Sequence, residues 1–269
     1  MIIITDMYKH IETLLSSKKS TIYVAENYCR ECYKNKTVVI KSYYKSKVKL
    51  FTNNPDYPYP IPLEMHFNEL IKDDEICPKI LNYFQNNEEF AIVMEHLTGK
   101  WIELHKYIMT KKRPENAIKK IVRNVILAIQ RLTEKGIYHL DIKPKNIMVN
   151  KSTYQVKVLD YEDALYDVEN QNPNYDYHVG TAGYYSPEVL DGITYDVKKS
   201  IVFMLGALTY CCLEQKKPFR LENDDYIRKL SFTKCSKNVK EFIKKCVVVD
   251  PEHRIELKEL LSENWFDKV

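Results

Sequence analysis

Short runs of β-branched and aromatic residues dominate the first third of the chain. Ser20–Ala25 (STIYVA) and Thr37–Lys41 (TVVIK) are separated by a polar stretch, which predicts two strands of a hairpin. Pro55, Pro58, Pro60 and Pro62 then interrupt any regular element, and a helix is predicted over 63–72. Phe90–Met94 (FAIVM) reads as a buried strand that runs into a connector at Glu95–Gly99. Beyond it the period changes. Ile118, Ile121, Val122, Val125, Ile129 and Leu132 recur at three- and four-residue spacing and share one helical face. Pro114 precedes that helix and Gly136 follows it, a consistent start and stop. Two short strands, 147–149 and 155–159, bracket a loop, and helices are predicted over 201–213, 237–247 and 257–263. The pattern predicts an α+β chain with a small β-rich lobe over residues 1–95, a connector over 95–99 and a larger helical lobe over 99–269.

Composition narrows this. The 269 residues are 45% apolar and 29% charged, as in globular chains. The longest nearly continuous apolar run, Ile201–Leu213, falls short of the ~20 residues that a membrane-spanning helix needs. The amino terminus, MIIITDMYKH, has neither a basic head nor a long apolar stretch, so no signal peptide is read and the cytoplasm or nucleus is the expected compartment. A formal charge of +4 does not demand a nucleic-acid partner. Seven cysteines, with Cys211 and Cys212 adjacent in an apolar run, argue for reduced thiols over a disulfide scaffold. Cys29-Arg30-Glu31-Cys32 is a lone CxxC with no second pair, so a zinc site is not the preferred reading. Lysine far outnumbers arginine, and 21 tyrosines stand against 6 glycines, as expected of an AT-rich genome, viral or parasitic. Those glycines write neither GxGxxG nor GxxxxGK[ST], which excludes Rossmann and Walker-type nucleotide sites at the motif level.

The chemistry is concentrated in ordered motifs. His139–Asn146 (HLDIKPKN) lies between the long helix and a strand. Val158-Leu159-Asp160-Tyr161-Glu162 follows it, then Gly180–Glu188 (GTAGYYSPE) and Asp250–Arg254 (DPEHR); Val38–Lys41 (VVIK) lies upstream. In this order and spacing they resemble the catalytic loop, the Asp-Phe-Gly segment, the docking segment ending in Ala-Pro-Glu, the late arginine that pairs with that glutamate, and the β3 lysine of eukaryotic protein kinases. The chain is similar to the Ser/Thr branch of that family, and among its members to the baculovirus protein kinases. An isolated strand lysine or loop aspartate is ordinarily a solvated charge or a turn residue. Five motifs in register outweigh that reading.

The resemblance implies a bilobal protein-kinase-like fold over 1–269 and transfer of the γ-phosphate of ATP, with Mg²⁺ or Mn²⁺, to Ser/Thr hydroxyls of a protein. Phosphoryl transfer needs positioning and charge neutralisation more than covalent chemistry. Lys41 would contact the α- and β-phosphates, oriented by Glu69, with Glu64 as the alternative. Asn146 and Asp160 would hold the metal, whose hardness suits amide and carboxylate oxygens. Asp141 would take or orient the substrate hydroxyl proton, and Lys143 would steady the transferring phosphate. The Glu95 carbonyl and Leu97 amide would bond adenine, with Ile22, Val39 and Met148 sandwiching the ring and Met94 gating the pocket behind it. Lys143 and Thr181 mark Ser/Thr rather than Tyr substrates. The baculovirus likeness implies a small basic DNA-packaging protein as substrate, and neither nucleic acid nor membrane as a direct partner.

Four positions depart from the family pattern. Leu15–Ser20 (LSSKKS) stands where glycines usually let backbone amides approach phosphate. Leu140 replaces the arginine that reads an activation-segment phosphate, Glu162 replaces a glycine, and Ile201 replaces a bracing aspartate. A preference for arginine read by the family's usual acids is not expected either, since Lys145 and Cys211 stand in their places; Glu103, Glu222, Asp224 and Asp225 could supply another acidic surface, although charge runs are ordinarily solvated faces. The departures define the competing reading, a catalytically silent kinase fold that binds a partner protein.

Overall fold

The computed structural model describes residues 7–28, 36–48, 51–53, 60–166, 180–190, 195–217, 219–222, 225–227, 230–233 and 235–267. Cys29-Arg30-Glu31-Cys32, Pro55, Pro58, Tyr175, Tyr177 and Asp224 lie outside them. The chain divides into two units, Met1–Thr98 and Gly99–Val269.

In the first unit, β1 (Tyr8–Ser16), β2 (Ser20–Asn27), β3 (Thr37–Tyr44), β6 (Ile80–Gln85) and β7 (Glu89–Glu95) form an antiparallel sheet in the order β1-β2-β3-β7-β6. Two short strands, β4 (Phe51–Thr52) and β5 (Ile61–Pro62), pair beside it. Helix α1 (Leu63–Leu70) follows directly, because Pro62 cannot continue a ladder but suits a helix start. The register decides which residues share a face. Ile22, Lys41 and Ile92 lie opposite one another across three strands, and Val24, Val39 and Met94 form the next row on the same face. That face packs on α1 through Tyr43, Phe90, Ile92, Ile61 and Met65. Val38, Ile40, Ala25 and Val93 fill the other face with Tyr8 and Leu81.

The predicted hairpin is therefore present, but the pattern missed β1. Its residues are almost all exposed, including Ile11, Leu14 and Leu15, so no alternation marks it as a strand. Leu15 and Ser16 end that strand, and only Ser17–Lys19 make the turn into β2. The Ser17 hydroxyl closes it by accepting from the Lys19 and Ser20 amides at 3.1 and 3.0 Å.

The second unit is mostly helical. β8 (Trp101–Glu103) leads into α2 (Leu104–Thr110) and α3 (Glu115–Glu134), whose predicted stripe, Ile118 to Leu132, is buried throughout. β9 (Ile137–Tyr138), β10 (Ile147–Asn150), β11 (Val156–Val158) and β12 (Leu165–Tyr166) are short; β10 lies between β8 and β11, and β12 pairs with β9. Helix α4 (Val197–Glu214) is capped by Asp196, whose carboxylate accepts from the Lys198 and Lys199 amides. It is buried on every side, as expected of a helix with almost no polar face. Gly206 lets α5 (Lys237–Cys246) approach it: a Cβ there would meet Cys246 Cβ at 2.5 Å. The predicted helix at 257–263 is instead a 3₁₀ segment, Leu257–Ser262, turned by a reciprocal cap between Glu256 and Glu259. Among the described residues, no helix is long and apolar enough to cross a membrane.

Candidate active site

Lys41 leaves the centre of the first unit's sheet on the face that α1 covers. Its ammonium is buried, and Nζ donates to Glu64 Oε1 and Oε2, each at 2.8 Å. A buried ammonium needs such a partner, since desolvating an uncompensated charge costs several kcal/mol. Glu64 sits in the first turn of α1, where the helix dipole also favours a carboxylate. This corrects the expectation that Glu69 orients Lys41. Five residues on, Glu69 is turned about 140° round the helix and pairs with Lys72 at 3.1 Å. Position along the sequence does not report which helical face meets the sheet. Ile22, Val39 and Met94 are half-buried on the Lys41 face and form an incompletely covered apolar surface beside it. Glu95 ends β7, and its Oε1 accepts from the Lys79 amide at 2.8 Å; Leu97 follows in the connector.

The second unit gathers its predicted residues in one loop. Asp141 is buried, and its carboxylate accepts three hydrogen bonds. Thr181 Oγ1 donates to Oδ1 at 2.6 Å, and Asn146 Nδ2 at 2.9 Å and Lys143 Nζ both donate to Oδ2. Lys143 Nζ also donates to Thr181 Oγ1 at 2.7 Å, closing a ring of three side chains. A carboxylate offers roughly four lone-pair sites. One of them, on Oδ1, is therefore left for a further donor. Asn146 Nδ2 also reaches the Asp141 carbonyl at 2.9 Å, and that orientation leaves its Oδ1 as an acceptor. Met148, half-buried in β10, lies opposite Glu103 on one side and Lys157 on the other.

Asp160 is brought beside this loop by the β10–β11 pairing and by the Leu159 amide, which donates to the Asn146 carbonyl at 2.8 Å. Asp160 has φ 64°, a left-handed conformation unusual for a residue with a side chain. Such conformations persist where the surroundings over-determine them, often at functional sites. His139 helps to hold the junction. Its Nδ1 accepts from the Asp141 amide at 3.2 Å, so the proton sits on Nε2, which donates to the Leu159 carbonyl at 3.0 Å. Its ring also meets Tyr161 edge-on at 5.3 Å. These positioning roles of His139 and Thr181 were not legible in the sequence, because both act through loops distant along the chain.

The docking segment is tied down at each step. Besides Thr181 on Asp141, the Tyr184 hydroxyl donates to Cys211 Sγ at 3.3 Å and Ser186 Oγ bonds Ser200 Oγ at 2.9 Å. Burial pushes both the Tyr184 hydroxyl and the Cys211 thiol above their ordinary pKa values. Arg254 and Glu188 form a two-pronged ion pair at 2.6 and 3.0 Å, with the arginine fully buried. Arg254 also donates to the Val248, Lys199 and Val249 carbonyls, so all five of its N–H groups are used. At the departures, Leu140 and Ile201 are apolar core residues, and Glu162 is exposed. Gly180 lies against the Leu140 carbonyl, where a Cβ would come within 2.5 Å, and has φ 99°.

Residues 24–266 match the model of the protein kinase domain. The chain is 28% identical over 263 residues to the serine/threonine-protein kinase PSK2 of Saccharomyces cerevisiae, covering 94% of this chain and 23% of the yeast protein. It is 27% identical over 222 residues to the probable serine/threonine-protein kinase HSL1 of the same yeast, covering 78% of this chain and 14% of that protein. It is 28% identical over 220 residues to serine/threonine-protein kinase 1 of African swine fever virus, covering 78% of this chain and 71% of the viral protein. The chain thus spans less than a quarter of either yeast relative. With the domain matched from within β2 to residue 266, and the lysine, loop and docking motifs in place, the chain belongs to the protein kinase family.

Proposed function

We propose that the protein transfers the γ-phosphate of ATP to serine or threonine hydroxyls of protein substrates. The observation that carries this is the Asp141 carboxylate, fixed by Thr181, Asn146 and Lys143 yet with one Oδ1 acceptor site remaining. A substrate hydroxyl donating to that site is oriented for attack. As its oxygen bonds to phosphorus and the bond to the ADP oxygen breaks, Asp141 accepts the hydroxyl proton. Lys143, already against Asp141 and Thr181, supplies positive charge where the transferring group becomes more anionic. Lys41, held by Glu64, binds the triphosphate, and Ile22 and Val39 pack the adenine. The Glu95 carbonyl and Leu97 amide are its hydrogen-bond partners, and Met148 is the further apolar residue that the family resemblance assigns to the adenine.

The Asn146 amide oxygen and the Asp160 carboxylate fit a hard divalent cation, being oxygen donors on adjacent backbone joined by the Leu159 amide. Mg²⁺ or Mn²⁺ bound there neutralises the triphosphate charge. Ser17 in place of glycine narrows what the β1–β2 turn offers a phosphate, but the charged groups that handle nucleotide, metal and hydroxyl are all present.

The test is transfer of labelled γ-phosphate to a generic protein by the wild type and by Asp141→Asn. Labelling by the wild type that collapses in the variant is the expected result. Equal labelling, or none with either Mg²⁺ or Mn²⁺, would establish the silent, partner-binding kinase fold instead.

A further inference from the structure

Lys145 is the one exposed residue between His139 and Asn150. It projects from a turn whose neighbours Pro144 and Asn146 are buried, and Asn146 grips Asp141. Lys217 is also exposed, and its Nζ donates at 3.3 Å to the carbonyl of Ala182, the residue after Thr181. Its side-chain carbons pass within van der Waals range of a Cβ placed at Gly183. One ammonium thus stands on the loop that carries Asp141, and the other bonds the segment that carries Thr181. Among the described residues neither has a carboxylate partner. Lys143 is spent on Asp141 and Thr181, while several acids of this unit are engaged elsewhere. Glu188 holds Arg254, Glu115 holds Ser236 and Trp265, Glu214 holds Thr233 and Cys235, and Glu263 holds Lys245.

We infer that Lys145 and Lys217 are specificity determinants that select protein substrates carrying carboxylates beside the phosphorylated hydroxyl. The inference rests on the proposed phosphotransfer and narrows its substrate class. Unpartnered positive charge beside a docking surface attracts an acidic segment and repels a basic one, so discrimination comes from both signs. Tyr184 and Cys211 bond each other in a buried position, and neither offers a carboxylate to receive an arginine. A small basic DNA-packaging protein, the substrate implied by the baculovirus likeness, is the class that this surface disfavours.

The experiment compares three synthetic peptides with one central serine, flanked by glutamates, by glutamines or by arginines. Phosphate transfer and fluorescence-anisotropy binding are both measured with the full chain, and binding is repeated with Asp141→Asn, which needs no turnover. The glutamate peptide is expected to exceed the arginine peptide at least tenfold in kcat/KM and in affinity, with the gap shrinking as salt rises. Lys145→Glu with Lys217→Glu should invert the order, and Lys145→Arg with Lys217→Arg should keep it, each variant melting near the wild type. Equal affinity for the three peptides, or preference for arginine, overturns the inference whether or not phosphate moves. Acidic selectivity in binding without transfer to any peptide supports it and defeats the phosphotransfer reading instead.

Discussion

The two charged centres of this chain are held in opposite ways. Lys41 and Glu64 meet across 23 residues of sequence, strand to helix, as a buried ion pair. Asp141 is bound by three side chains, two from its own loop and one from the docking segment, and two of those partners, Lys143 and Thr181, also bind each other. In the pair, a buried charge faces the opposite charge it needs; in the ring, removal of one bond leaves the rest. The first arrangement concentrates stability in one contact. The second separates chemistry from stability, so a residue there can be disabled without collapse of the fold.

Asp141→Asn is the largest expected effect and the sharpest check on that separation. The asparagine oxygen still accepts from its neighbours, but it cannot take a proton. We expect phosphotransfer to fall by about 10²–10⁴-fold with the melting temperature nearly unchanged, measured by peptide kinetics and a thermal scan. A variant that unfolds instead, or that keeps a third of its activity, would break the contrast.

Glu64→Ala inverts the pattern. It strips a buried ammonium of its carboxylate, and breaking such a pair costs about 3–5 kcal/mol. The measured quantities are unfolding free energy by denaturant titration and the thermal shift on adding Mg-ATP, and both should drop. Glu69→Ala, on the more exposed side of the same helix, should cost less than about 1 kcal/mol. If the two variants changed places, the Lys41 partner would be misassigned.

The same contrast explains what the sequence made legible. The Asp141 loop is contiguous, so HLDIKPKN carries Asp141, Lys143 and Asn146 together, and spacing alone sets them on one turn. The stripe of α3 and the strands β2, β3 and β7 were equally plain, because one-sided burial imposes a period. Glu64 was not legible: choosing it over Glu69 requires the angle at which α1 meets the sheet, which depends on Pro62 and the packing of Ile61 and Met65 on Phe90 and Ile92. Strand β1 escaped because an exposed edge strand needs no alternation. Thr181 was visible as part of a motif, but its bond to Asp141 joins residues 40 apart.

A milder probe of the ring is Thr181→Ala beside Thr181→Ser. Alanine removes one donor to Asp141 and one acceptor for Lys143, but Asp141 keeps Lys143 and Asn146 as donors, so neither charge is left unpaired. Serine restores both. The expected outcome is a roughly tenfold loss of kcat in alanine, with little change in stability and recovery in serine. A stability loss as large as that of Glu64→Ala would show that the ring is not redundant after all.

The smallest effect comes from a carboxylate outside both centres, and it separates titration of the fold from titration of the chemistry. Glu214, at the end of α4, accepts from the Thr233 amide and hydroxyl at 2.9 and 2.8 Å and from Cys235 Sγ at 3.0 Å. Burial alone would raise its pKa, but those bonds outweigh it and hold the carboxyl below its ordinary 4.5. Its contribution is then complete above pH 4.5 and disappears as pH falls through the lower native value, where the protonated acid accepts more weakly. Burial, then the bond and charge of Glu214, push the Cys235 thiol up from 9.0 to about 12. Its contribution is complete below pH 9.0 and is lost as pH rises towards 12. Since both groups are half-buried and solvent screens them, each arm should move the melting temperature by no more than about 2–4 °C, the equivalent of about 1 kcal/mol. Thermal scans across pH should show Glu214→Gln flattening the acid arm and Cys235→Ser flattening the alkaline arm. Neither variant should displace the pH profile of kcat, because neither residue touches the Asp141 ring. A displaced rate profile would mean that this distal anchor and the reacting groups titrate as one system, and the independence of the two kinds of centre would fail.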